Sequence, residues 1–121
     1  MKALLFSITA MCAALQTMGQ SATKTKDGAQ LILDNEKVKV FAYDGGSGKD
    51  LCGAGKHSHP AHLTVMLTDA TIMITNANGE VKTAKLTAGT SFWSEAETHT
   101  VINSGANLVK CQIVELKKPK L

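Results

Sequence analysis

The sequence predicts an all-β domain, built as an antiparallel sandwich or barrel. Three observations predict it. Short runs rich in β-branched and aromatic residues recur between turn-forming clusters roughly every ten residues. Beyond the N-terminal apolar run, no segment repeats its apolar positions at helical spacing. Asn76-Ala77-Asn78-Gly79 supplies a hairpin turn, because Asn-Gly accepts the positive φ angles that tight turns need.

The elements follow in order. Strands are expected over 30–33 and 37–43, separated by a turn at Asp34-Asn35-Glu36. In the second, Val38, Val40 and Ala42 share one face and Phe41 and Tyr43 the other. Asp44 to Gly48 is a loop by composition, and Gly53-Ala54-Gly55 lets the backbone bend tightly. Runs 63–67 and 71–75 are β-rich, with Thr68-Asp69-Ala70 between them. Further strands are expected over 80–86, 91–94, 99–102 and 108–116, with turns at Thr87 to Thr90 and Asn103 to Asn107.

The chain has 121 residues, enough for one domain with one modest core. Met1-Lys2 followed by an uncharged apolar run over 3–15 has the layout of a cleaved secretory signal peptide. The run is shorter than the ~20 residues that cross a bilayer. This divides the chain into a signal peptide over 1–22 with cleavage near 19–22, a flexible lead-in over 23–29, a domain over 30–117 and a basic tail over 118–121. The mature protein is expected to be secreted or periplasmic, with no membrane association after cleavage.

Cleavage removes Cys12 and leaves Cys52 and Cys111. In an oxidising compartment an even pair suggests a disulfide. Two buried thiols packing as small hydrophobes are an alternative, and Cys52 as a metal ligand or reactive thiol is a third. The formal charge of +3 includes Lys2 and comes from thirteen lysines, with no arginine. Planar, bidentate phosphate recognition favours arginine, and no basic cluster is interleaved with aromatics, so nucleic acid is not an expected partner.

The residues that carry chemistry are the histidines. His57, His59 and His62 lie within six residues and His99 follows some forty later. Residues two apart on a strand point the same way, so His57 and His59 present two imidazoles to one side of a sheet. Imidazole is the commonest metal ligand, and a third ring returning from a distant strand completes a triad. The expected ligands are His57, His59 and His99. His62 is a weaker candidate, because an odd spacing of three turns it to the opposite face of an unbroken strand. Pro60 can break that strand and turn His62 back inward. Three imidazoles suit a divalent transition metal such as zinc, iron, copper or nickel, better than magnesium or calcium. Glu97 shares the parity of His99 and could orient its ring. Glu95 is more simply solvated, and Trp93 is a candidate cavity wall or core residue.

His57-Ser58-His59 and His99-Thr100-Val101-Ile102-Asn103 resemble the paired histidines and the H-x3-N ending of the two short motifs of cupins. Asn35 to Val40 is similar to the strand that often opens such domains. The resemblance covers roughly residues 30 to 116 and implies an antiparallel jelly-roll β-barrel. Where the cupin pattern has a glutamate ligand, this chain has Leu63 or Thr64. Ser94 and Ala96 stand for the pattern's proline and glycine, Gly89 is one residue nearer the histidine, and Asp69 replaces a glycine. The resemblance fixes little about substrate. Together with the leader, which implies export, it implies a metal-binding protein that binds a small molecule or a metal. The alternative is a metal-dependent dioxygenase or isomerase acting on a small polar substrate, since an open three-histidine site on iron can hold substrate and dioxygen together. Homodimers are a frequent habit of the family.

Overall fold

A computed structural model describes residues 23–24 and 29–119. The signal peptide expected over 1–22 and the last two residues of the basic tail lie outside the described residues. Ten strands and no helix make up the described chain: β1 (Thr23–Lys24), β2 (Gln30–Asp34), β3 (Val38–Gly45), β4 (His57–His59), β5 (His62–Met66), β6 (Ala70–Asn76), β7 (Val81–Leu86), β8 (Ser91–Ser94), β9 (Glu97–Asn103) and β10 (Val109–Leu116). Six strands form one sheet in the order β1-β2-β3-β10-β5-β8, and four form the other in the order β4-β9-β6-β7. The arrangement is a jelly roll. Its two sheets share no ladder, so the expected barrel is an open sandwich of facing sheets rather than a closed ring.

Most boundaries sit within a residue or two of the expected strands. The lead-in differs: Thr23 and Lys24 pair with Leu31 and Gln30 as an added edge strand. β3 runs on through Asp44 and Gly45, because β10 pairs with it from Val38 to Gly45 and supplies backbone partners to the end. The Asn76–Gly79 hairpin forms as expected, with Gly79 at φ 84° and the Asn76 carboxamide oxygen accepting from the amides of Asn78 and Glu80.

The core lies between the sheets. Leu51, Met66, Ala70, Ile72, Val101, Val109 and Cys111 form its buried cluster, with Tyr43 and Phe92 packed against it. The alternation of strands decides which side chains arrive there. On β5 the inward set is His62, Thr64 and Met66; on β9 it is His99, Val101 and Asn103; on β10 it is Val109, Cys111 and Ile113. The opposite parity of the six-stranded sheet carries Leu33, Val40, Val114, Leu63 and Trp93, register partners across β2, β3, β10, β5 and β8.

One edge of the four-stranded sheet positions the site. Residues 48–51 run along β9, with Leu51 N donating to Val101 O at 2.9 Å and Asn103 N donating to Lys49 O at 2.9 Å. The chain then leaves the sheet over 52–56 and rejoins the same edge as β4, where His57 pairs with His99. Behind this edge stands Asn103, which is fully buried. Its carboxamide donates to Gly45 O (3.0 Å) and Asn107 O (2.7 Å) and accepts from Gly105 N at 3.0 Å.

Candidate metal centre

The register of β4 on β9 does what H-x-H spacing alone cannot. His57 stands directly opposite His99, and His59 points the same way two residues on. The ring centroids of His57 lie 4.7 Å from those of both His59 and His99, and His59 lies 5.4 Å from His99. His57 Nδ1 is 2.8 Å from Gly55 O. A carbonyl only accepts, so Nδ1 carries the proton and Nε2 presents its lone pair to the other rings. His59 Nε2 and His99 Nδ1 are buried without a hydrogen-bond partner. An orphaned buried polar atom costs about 1–3 kcal/mol, a penalty that a cation would relieve at His59 Nε2.

Cys52 completes the group. Its Sγ lies 3.3 Å from His57 Nε2 and 3.7 Å from His99 Nε2. The four donor atoms of Cys52, His57, His59 and His99 all fall within 4.8 Å of one another. The local backbone accepts strain to do this: Cys52 adopts φ 52°, a region non-glycine residues avoid. Gly53 follows at φ 148°, and a Cβ there would stand 2.7 Å from His57 Cγ. The glycine is what lets the His57 ring lie against the loop.

Burial sets the electrostatics. It pushes His59 down from 6.5 to about 4, with the neighbouring His57, His62 and His99 adding to the shift and a backbone hydrogen bond with Cys52 opposing it. Burial likewise lowers His99, with Glu97 pulling the other way and His57 and His62 adding to the fall. The Glu97 carboxylate is 3.2 Å from His99 Nδ1, close enough for an ion pair though not aligned as a hydrogen bond. Cys52 is raised, first by burial and then by Cys111, Glu97 and Asp50; burial raises Cys111 to about 11. In the metal-free protein His59 and His99 are therefore held in their neutral, ligating form and the thiol holds its proton. A cation binding there would displace that proton.

A thiol and three imidazoles fit a borderline or soft transition metal, with zinc, iron and copper foremost, and match neither magnesium nor calcium. The expected triad is brought together in full. Cys52, left open in the sequence between disulfide, core and ligand, turns its sulfur to the imidazoles, and both Cys52 and Cys111 are free thiols. The clue was available as the spacing C-x4-H-x-H. What hid it was the excursion over 52–56, which brings Sγ back over the edge it has just left. It is Cys52, not the side chain at Leu63 or Thr64, that joins the three histidines.

His62 is buried and faces inward, but from the other sheet. The chain crosses between sheets at Pro60-Ala61, so the parity argument no longer applies. Its ring is 5.0 Å from that of His59 and its Nδ1 donates to Pro60 O at 2.8 Å. It lies outside the four-donor group and lines the adjoining cavity. Trp93 is neither cavity wall nor core: it stands 48% exposed on the outer face, its indole N–H donating to the Glu95 carboxylate at 3.1 Å.

No family model matches the sequence, and no curated protein matches it. Solved structures do. A cupin domain from Bordetella pertussis Tohama I is 26% identical over 79% of this chain and 98% of its own, with a TM-score of 0.68. An RmlC-like cupin family protein with a double-stranded β-helix fold from Methanocaldococcus jannaschii is 13% identical over 81% of this chain and 85% of its own, with a TM-score of 0.59. A polyketide cyclase from Streptomyces resistomycificus is 11% identical over 85% of this chain and 83% of its own, with a TM-score of 0.57. Sheet order, strand alternation and these likenesses agree: this chain has the cupin fold, a double-stranded β-helix.

Proposed function

We propose that this is an exported metal-binding protein whose centre is Cys52, His57, His59 and His99. One observation carries the reading: four donor atoms from two remote segments lie within 4.8 Å of one another. The orphaned His59 Nε2, the His57 tautomer fixed by Gly55 and the space left by Gly53 all support it. Glu97 orients His99 from outside the ligand set. When bound, the metal would supply a positive charge and Lewis acidity at the edge of the cavity. The imidazoles would offer their lone pairs to it, and the thiol would surrender its proton.

Export rests on the leader's layout, and it places the protein in the periplasm or outside the cell. A second reading, a metal-dependent enzyme, is favoured by one feature: the cavity between the sheets is walled in part by His99 and Cys52. A molecule lodged there would lie against the metal centre.

The test is metal content. Protein purified from the exported fraction without an affinity tag is analysed by mass spectrometry for metals and for its N-terminus. The expected result is near one transition-metal ion per chain, a start near residues 19–22, and loss of metal in His57→Ala and His99→Ala. Metal no higher in the native protein than in the variants would remove the assignment. Iron together with oxygen uptake on candidate substrates would select the enzyme.

A further inference from the structure

The cavity beside the centre has two ends of different chemistry. Its volume is about 100 Å³, below the ~300–1,000 Å³ of sites for drug-sized ligands, so only a compact molecule fits. Leu51, Met66, Ile72, Leu86, Phe92 and Val109 line its floor. Thr64 is one polar side chain among them, level with Phe92, and most of the remaining polar lining lies at the other end. His62 and Ser94 are register partners on β5 and β8, and Glu97 and His99 begin β9 opposite them. Glu97 is largely exposed, which marks this polar end as the mouth.

We infer that this cavity takes a compact neutral molecule with an apolar body and a single hydroxyl head, of the alcohol or phenol class. The body is set by the floor, which offers mainly apolar contacts and, with Thr64 as its one hydroxyl, would leave most of a polyol's hydroxyl groups unpaired. The head is set by the mouth. The Glu97 carboxylate accepts hydrogen bonds and repels an anionic head, so a hydroxyl donor fits where a carboxylate does not. His62, whose Nδ1 proton is committed to Pro60 O, has its Nε2 left as an acceptor. The inference rests on the metal-centre reading for what lies behind the head, and not for the apolar floor. It also moves the expected substrate away from a small polar compound.

The experiment uses p-cresol, benzoate and glycerol as probes on the mature protein, both metal-free and zinc-loaded. Binding is read by calorimetry and by shifts of the methyl resonances of Met66, Ile72 and Leu86. p-Cresol is expected to shift those methyls in both forms, with benzoate at least about tenfold weaker and glycerol without effect. Glu97→Gln, at an exposed position that leaves the core intact, is expected to narrow the cresol-to-benzoate gap. Glycerol binding as well as cresol, cresol leaving the floor methyls unmoved, or benzoate binding as tightly in the native protein would each overturn the inference. Absence of zinc uptake with cresol binding intact would sink the metal centre alone; zinc uptake without cresol shifts would sink the cavity assignment alone.

Discussion

His59 shows most sharply how one side chain reports on the site. Its Nε2 is buried without a partner and its titration is pushed to about 4 from an ordinary 6.5. Between those values an unfolded chain takes up a proton at this ring that the folded protein refuses. Folding stability of the metal-free protein therefore falls as pH drops from 6.5 towards about 4, and the slope is set by the folded state's lower affinity for protons. Urea midpoints of chelated protein across that window should show the fall, and His59→Gln should flatten it. An unchanged slope in the variant would place the effect elsewhere. Gly53 is the second residue of this kind. Gly53→Ala puts a Cβ 2.7 Å from His57 Cγ at φ 148°, and backbone strain of this sort costs about 1–3 kcal/mol. The expected outcome is a lower melting temperature together with weaker zinc binding, measured by calorimetry. Full affinity in Gly53→Ala would mean that His57 does not depend on the glycine.

The element that matters most is the doubled edge of β9, which takes residues 48–51 and then β4. Period-two alternation made His57 and His59 legible as one face, because alternation is local and strict. The same rule does not reach His62, since the chain changes sheets at Pro60-Ala61, the break that Pro60 already offered in the sequence. Cys52 was harder still: its direction depends on a five-residue excursion with positive φ at Cys52, Gly53 and Gly55, which composition hints at but does not aim. Behind this edge, Asn103 ties together the turns at Gly45 and Asn107. Asn103→Ala leaves the buried groups it serves without partners. At about 1–3 kcal/mol per orphaned group, the expected loss is at least ~2 kcal/mol, read as a lower urea midpoint. Metal stoichiometry in the surviving folded protein should stay unchanged, because Asn103 touches no ligand directly. Loss of metal without loss of stability would assign it a different part.

At the scale of the molecule, a cation held by these donors would join segments that the fold already holds side by side, which would link metal binding to folding. Most strand and turn positions were readable because each short strand carries its own β-rich run and turn residues, and the jelly-roll form was what the resemblance to cupins implied. The choice between open sandwich and closed barrel, and the β1 edge strand, were not readable, since both depend on which strands find partners across the whole chain. Zinc at a thousandfold over its dissociation constant should add about 4 kcal/mol of stability. For a domain of this size that raises the melting temperature by more than about 10 °C. Scanning calorimetry should show the rise in the native protein and lose most of it in Cys52→Ser. An equal rise in both would remove the thiol from the centre.

The central claim concerns which atoms surround the metal, and X-ray absorption at the metal edge reads them directly. The native protein, loaded with one equivalent of zinc, should give a first shell of one sulfur and three imidazole nitrogens, and Cys52→Ser should lose the sulfur. A shell of nitrogen and oxygen alone in the native protein would contradict the account.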